Sequence, residues 1–216
     1  EKVCKTSGTN HELKASFKEI PFQVLRKRRF SCFKQVLQKT TYWSCFEDGL
    51  KSPEFHRAAA CGHLPFIEWL HSQRTTGTTT EAMDLAAKNG HLAVVMWPHT
   101  NRLDGCTFEA INAAAANGHI SVIEWLHANR SEGCTTCAMD KAASHGHLSV
   151  LEWLHNNRSE GCTDDAMNSA ASHGHLSVLE WLHNNRSEGC TDNAMNSAAR
   201  NGHLSVVEWL HAKRSD

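Results

Sequence analysis

The sequence is poor in several residue types and lacks the long apolar runs of a membrane protein. It has one Tyr and four Pro among 216 residues, and no segment approaches the roughly 18 apolar residues of a membrane span. Its 22 Lys and Arg nearly balance 23 Asp and Glu, so it lacks the excess positive charge that phosphate contacts require. With 40% hydrophobic residues, it also differs from a wholly disordered chain. These features exclude a membrane-spanning or disordered protein and argue against a nucleic-acid partner.

The motifs of common enzymes are also missing. There is no phosphate-binding glycine loop, no G-x-S-x-G and no H-E-x-x-H, so we expect no enzyme activity, no cofactor and no small-molecule substrate. Nine Cys is an odd number, and the Cys are not spaced like the disulfide framework of a small secreted protein. No targeting peptide is expected at Glu1-Lys2-Val3. We therefore expect free thiols in a reducing intracellular compartment, the cytoplasm, with the nucleus as an alternative.

The residues that are abundant form a repeat. From Gly49 onward the sequence repeats every 28 residues without an insertion, and six units run to Asp216. A Gly-His pair, a Trp, a second His and an Arg recur at fixed positions, so most of the 16 His and seven Trp are copies of three positions. The units begin at Gly49, Gly77, Gly105, Gly133, Gly161 and Gly189. Self-similarity at such a period indicates a repeat architecture.

Each unit is predicted to form two short helices. In the fifth unit, Thr163 is a favoured N-cap residue, and apolar residues then recur at helical spacing at positions 166, 167, 170 and 171. Gly174 suits the end of this first helix because glycine tolerates a positive φ. A second apolar stripe runs from Leu176 to Leu182 and predicts the second helix.

The prolines test this assignment. Pro53 and Pro65 fall in the first turn of a predicted helix, where a missing N–H costs little. Pro98 instead replaces the Leu that every other unit has at this position. Because proline removes a helical hydrogen bond, we expect the second helix of the second unit to end or kink near Trp97.

A leucine-rich repeat is the main alternative fold with a similar period. The stretch from Leu176 to Asn184 mimics the L-x-x-L-x-L-x-x-N start of such a repeat. Asn recurs at the last position only in the fourth unit, however, and the other half of each unit is rich in Ala without a second set of Leu. The pattern therefore favours paired helices.

The unit resembles the ankyrin repeat. The resemblance is carried by Ala170-Ala171, Gly174-His175-Leu176 and Val178-Leu179 and by their equivalents in the other units, so it covers residues 49–216. It implies an all-α solenoid of helix-turn-helix layers with short inter-repeat loops. The usual T-P-L-H opening is replaced, and the unit is shorter than the ankyrin form of about 33 residues. The missing residues fall where the family has its projecting β-hairpin finger.

The resemblance implies a non-catalytic scaffold that binds a protein partner. In the family, partners contact the finger tips and the first helices, which line the concave face. With the fingers shortened, we expect the first helices to carry more of the recognition, and their non-apolar positions vary most between units, although neutral drift would also produce this variation. The candidate binding residues are Arg57, Thr80, Lys88, Phe108, Glu109, Thr136, Lys141, Asp164, Asp165, Asp192 and Arg200. A self-associating structural protein, or the recruiting arm of a larger protein, remains an alternative.

The repeated His could indicate a metal site, but their spacing favours structural roles. Zinc needs three or four ligands within about 2.1 Å of the ion, whereas stacked helices lie roughly 8–10 Å apart. We therefore expect no metal. His175 at a helix start should bond neighbouring backbone, and His183 should lie at a helix end, where a polar or cationic group suits the dipole.

The other repeated residues also have structural explanations. Layer spacing beyond the roughly 7 Å Cα limit should keep the column formed by Cys106 and its copies reduced. The single C-x-x-C at Cys134 and Cys137 lacks the βαβ context of a redox motif. We expect the Trp column to lie in the core between layers, and Arg186 and its copies to bond the terminal carbonyls of their own helix.

The two ends of the sequence differ in charge. Residues 1–48 contain ten Lys and Arg against five acidic residues, a net charge of +5, whereas residues 49–216 have a net charge of −6. We interpret residues 1–48 as a basic capping segment, a degenerate first repeat, and the run Arg26-Lys27-Arg28-Arg29 as its solvated face or a nuclear-import or nucleic-acid patch. The sixth unit keeps an apolar second helix around Trp209 with no following unit, so a homo-oligomer could form there.

Overall fold

The computed structural model describes residues 54–72, 80–101 and 105–214. This part of the chain consists of α-helices joined by turns and short links, and it contains no strand. The predicted capping segment 1–48 lies outside the described residues, as does Pro53. The helices occur in pairs along the sequence, each pair consisting of a first and a second helix of one repeat. They are α1 Glu54–Ala60, α2 Leu64–Ser72, α3 Thr80–Lys88, α4 Leu92–Thr100, α5 Glu109–Ala116, α6 Ile120–Asn129, α7 Cys137–Ser144, α8 Leu148–Asn157, α9 Asp164–Ser172, α10 Leu176–Asn185, α11 Asp192–Arg200 and α12 Leu204–Arg214.

The fifth repeat illustrates why each helix begins and ends where it does. Thr163 is extended and its hydroxyl accepts the N–H of Asp165 at 3.2 Å, which confirms the predicted N-cap. At the other end, the N–H of His175 donates to the carbonyl of Ala170 at 2.9 Å. Gly174 makes this turn with a φ of +76°, a value that side chains rarely tolerate.

Small residues on the first helices and branched residues on the second form the core. Ala170, Ala171, Val178, Leu179 and Leu182 are all completely buried. The Ala pairs let first helices of neighbouring repeats pack closely against one another, whereas the second helices contact each other much less. The side of the array formed by the exposed residues of the first helices is called its inner face. Along the described residues, no helix is long and apolar enough to cross a membrane.

The helix that contains Pro98 does not end near Trp97, so the expected early end is wrong, whereas a kink there stays a prediction. α4 continues through the buried Pro98 to Thr100, and the N–H of Asn101 donates to the carbonyl of Trp97 at 3.2 Å. The proline lacks only its own N–H, and the hydrogen bond after it closes the last turn.

Candidate interaction surface

Neighbouring repeats are joined by a row of hydrogen bonds between Thr and an Asp or Asn on α3, α5, α7 and α9. Asp140 accepts the N–H of Thr163 at 2.8 Å and its hydroxyl at 3.0 Å, and Asp84 holds Thr107 in the same way. Burial raises the pKa of Asp84 and Asp140, and the hydrogen bonds from Thr partly oppose this rise.

Asn serves the same role where it replaces Asp. Asn112 accepts the N–H of Thr135 at 3.1 Å and donates to its hydroxyl at 3.0 Å, and Asn168 accepts both groups of Thr191. Sequence reasoning missed this column. Its signal is an Asp or Asn followed by Thr 23 residues later.

The His at the start of each second helix joins two repeats. The ring Nε2 of His91 bonds the carbonyl of Ala60 in the preceding repeat at 3.0 Å. The same ring lies against Gly62, where an added Cβ would be only 2.5 Å from Nδ1. The expected bond to backbone is therefore confirmed at His91, and its acceptor belongs to the neighbouring repeat. Burial is the largest cause of a lowered pKa at His147 and His175, the equivalents of His91.

The second His column contacts the Trp column of the next repeat. The rings of His127 and Trp153 meet edge to face with centroids 5.2 Å apart, and four further pairs share this geometry at 5.2–5.4 Å. Trp153 is nevertheless half-buried. The Trp column therefore lies between layers as expected, but at the edge of the core, which Val and Leu fill.

The side chains of Arg130, Arg158 and Arg186 do not bond the carbonyls of their own helices, so that prediction is wrong for these three. Arg158 and Arg186, for example, form ion pairs with Glu160 and Glu188, two residues further on. All three Arg have an extended backbone. At Arg186, with φ −132° and ψ 153°, the side chain therefore leaves the helix axis and lies beside Gly161 of the preceding link. Arg158 lowers the pKa of Glu160 to about 2.

Cys106, Cys134 and Cys162 lie close to these ion pairs. They form no disulfide, and Cys106 and Cys162 are buried. Burial raises the pKa of both thiols to about 11. Cys134 and Cys137 of the C-x-x-C differ in exposure, since Cys134 is half-buried and Cys137 exposed. Among the described residues, no three His, Cys, Asp or Glu side chains form a group that could hold a metal ion.

Three of the predicted binding residues line one shallow groove across α3, α5 and α7. These are Lys88, Glu109 and Lys141, which come from three successive repeats. Leu85, Ala113 and Ala116 also line the groove, and they occupy the variable repeat positions that hold Lys88 and Lys141 in other units. Sequence reasoning did not include the remaining lining residues, Glu81, Asp84 and Asn117.

The remaining predicted residues are distributed along the same row of first helices. Most lie where a first helix begins, and Phe108 is an exposed aromatic side chain, 47% accessible. Arg57 lies in the last turn of α1, and Arg200 is the last residue of α11. Those at or just before a helix start are Thr80, Phe108, Thr136, Asp164, Asp165 and Asp192.

A model of the ankyrin repeat family, described as ankyrin repeats in many copies, matches residues 83–127 and 139–183. The repeats within these two ranges are ankyrin repeats. Among solved structures, the human ASB11 ankyrin repeat domain superposes with a TM-score of 0.58 at 18% identity and covers 74% of this chain and 83% of its own. At this identity the likeness concerns the fold. No curated protein gives a significant sequence match.

Ankyrin repeats are generally protein–protein interaction modules, and proteins of the family are typically non-catalytic. The links between the ankyrin repeats are short here. Residues 130–136, 158–163 and 186–191 contain no strand, so a β-hairpin finger is absent from these three links.

Proposed function

We propose that the protein is a scaffold that binds a partner protein on the face formed by its first helices. The observation that carries the proposal is the groove in which Lys88, Glu109 and Lys141 converge from three repeats. The floor between them contains Leu85, Ala113 and Ala116, so charged and apolar groups are presented together. This combination suits the recognition of a protein segment, whose surface also mixes the two.

The inter-repeat hydrogen bonds support this role because they hold the face in one shape. Asp140 with Thr163 and His91 with the carbonyl of Ala60 each connect two repeats within hydrogen-bond distance. A surface held in this way before binding loses little conformational entropy when the partner arrives. We expect the scaffold to act without catalysis or cofactor.

Affinity capture with a matched pair of variants tests the binding face. The triple variant Phe108→Ala, Lys141→Ala, Asp164→Ala removes exposed side chains from the first helices. The control variant Glu124→Ala, Glu152→Ala, Glu180→Ala removes the same number of exposed side chains from the second helices. The first variant should lose partners that the wild type and the control retain. Unchanged partners with the first variant would contradict the proposal.

Self-association is a second candidate function, favoured by the exposed face of the last repeat. Leu204 is 66% accessible, although its equivalent Leu176 is only partly exposed. An added Cβ at Gly202 would have no described atom within 4 Å, whereas Gly174 lies against His203. A second copy of the chain packed against this repeat would cover both Leu204 and Gly202. Light scattering over a range of concentrations should then reveal dimers, and a monomer at high micromolar concentration would count against this candidate.

A reducing intracellular location is part of the proposal. Cys106, Cys134 and Cys162 are thiols without a disulfide, and they are buried or half-buried with raised pKa values. The cytoplasm or the nucleus would keep such thiols reduced. Fluorescence microscopy of the tagged protein and labelling of its thiols after extraction would test this location.

A further inference from the structure

Charged side chains on the first helices are separated into two rows that run along the array. The acidic row, near the start of the helices, consists of the exposed residues Glu81, Glu109, Asp164, Asp165 and Asp192. The basic row, further along the same helices, consists of Arg57, Lys88, Lys141 and Arg200. Within the described first helices, every acidic residue precedes every Lys or Arg.

The helix dipole does not explain this separation. Acidic groups stabilise the N-terminus of any helix and basic groups its C-terminus, so the dipole should act on both sets of helices alike. None of the second helices for which the first turn is described has an acidic residue there, from α2 to α12. Their glutamates come later, as Glu124 does in the middle of α6. The acidic row is therefore specific to the inner face.

Between the two rows lies the Asp or Asn column, whose side chains bond Thr of the next repeat. Where a first helix has no Lys or Arg, the positions of the basic row hold small residues, which are Ala113 and Ala116 in α5 and Ser169 and Ser172 in α9. Small side chains at these positions let another backbone approach closely. The occupant of this face should therefore pack closely against them and present opposite charges on its two flanks.

The spacing of the repeats favours a helix as this occupant. Stacked helices lie roughly 8–10 Å apart, and an α-helix advances about 10.5 Å in seven residues, which returns to nearly the same face. A helix along the array would thus present equivalent residues to successive repeats. An extended segment covers the same distance in about three residues. Because successive side chains of a strand point to opposite faces, a step of three residues would turn every second equivalent side chain away from the array.

We propose that the inner face binds a partner helix with Lys or Arg along one flank and Asp or Glu along the other, recurring about every seven residues. This inference rests on the proposed function, because it names the kind of partner that the same face takes. The basic flank of the partner helix lies against the acidic row, and its acidic flank lies against the basic row.

Two synthetic helical peptides of identical composition test this proposal with the full chain. One has Lys on one flank, Glu on the other and Ala and Leu between them; the second has the same residues with both charges mixed on each flank. Three or four ion pairs at a partly shielded surface should make the segregated peptide bind at least about ten-fold tighter in fluorescence anisotropy at low salt. Equal affinity for the two peptides, or no binding of either, would overturn the proposal.

A charge exchange within the groove tests the rows directly. The variant Glu109→Lys, Lys141→Glu keeps the net charge and should remove most of the preference for the segregated peptide. The control Glu152→Lys, Lys213→Glu exchanges exposed charges on the second helices and should leave the preference unchanged. If both exchanges reduce the preference for the segregated peptide equally, the peptide does not recognise the two rows.

A steric variant separates this inference from the proposed function. Ala116→Trp fills the groove, and circular dichroism would verify that it folds. Loss of captured partners with Ala116→Trp, without an effect of the charge exchange, would overturn the charge pattern and leave the binding face standing. Capture that survives both variants would overturn the binding face itself.

Discussion

Replacing Gly146 by Ala should destabilise the protein by about 1.5–3.5 kcal/mol, and two separate effects contribute. Gly146 has a φ of +75°, and a residue with a Cβ in this conformation costs about 1–2 kcal/mol. The new Cβ would also lie 2.8 Å from Nδ1 of His175, so the ring must move away. The ring bonds the backbone of Ser144, and loss of this hydrogen bond adds about 0.5–1.5 kcal/mol.

The last repeat offers a matched control for the first effect alone. Gly202 has a φ of +78°, but no described atom lies within 4 Å of an added Cβ. Gly202→Ala should therefore cost only the conformational part, about 1–2 kcal/mol. The difference between the two variants measures the contact with the His ring.

Urea unfolding followed by circular dichroism measures both costs. In the double variant Gly146→Ala, His175→Ala the ring is gone, so the two changes should cost less together than the sum of their separate effects. The reasoning would be refuted if Gly146→Ala and Gly202→Ala cost the same free energy and the two changes in the double variant were additive. In that case the contact between Gly146 and the ring of His175 would not contribute to the cost.

Three further predictions concern the junctions between repeats. Asp140→Ala leaves the N–H and hydroxyl of Thr163 without their acceptor and should cost about 1–3 kcal/mol in urea unfolding, whereas Asp140→Asn should cost less because Asn112 and Asn168 serve the same role. The folded pKa values of His147 and His175 lie below 6.5, so their neutral forms stabilise the fold fully above pH 6.5 and this contribution is lost as the pH falls through 6.5 toward the folded values. The melting temperature should fall on acidification, and His147→Gln, His175→Gln should flatten this dependence; an unchanged slope would contradict the assignment. Finally, Cys162, buried and with a pKa of about 11, should react with iodoacetamide far more slowly than the exposed Cys137, which peptide mass spectrometry would measure; equal labelling would contradict the burial.

Several features of the binding face could be predicted from the sequence, and others could not. The variable positions Lys88, Glu109 and Lys141 follow from comparing units, because each lies on the polar side of a helical pattern. That the three line one groove depends on how closely α3, α5 and α7 pack. The floor residue Ala116 occupies the same variable repeat position as Lys88, but the sequence does not show that it lies in a groove, because Ala is also common in the core.

Contacts between repeats were the least accessible from the sequence. Arg186 follows a helix and its sequence context suggests a cap, yet its extended backbone directs it to Glu188 and to Gly161 in the preceding link. The bond between Asp140 and Thr163 joins residues 23 apart. No helical or strand periodicity predicts such a pair.

The sequence by itself determined the repeat and the paired helices, because a period of 28 residues, the Ala pairs and the Gly-His turn are local signals within one unit. It also determined the N-cap at Thr163, which needs only the next two residues. Only the tertiary structure decided that α4 passes through Pro98, that Trp153 lies at the edge of the core, and that two rows of charge share the inner face. The physical reason is that these features depend on the distance and angle between layers, which are set by packing rather than by any one unit.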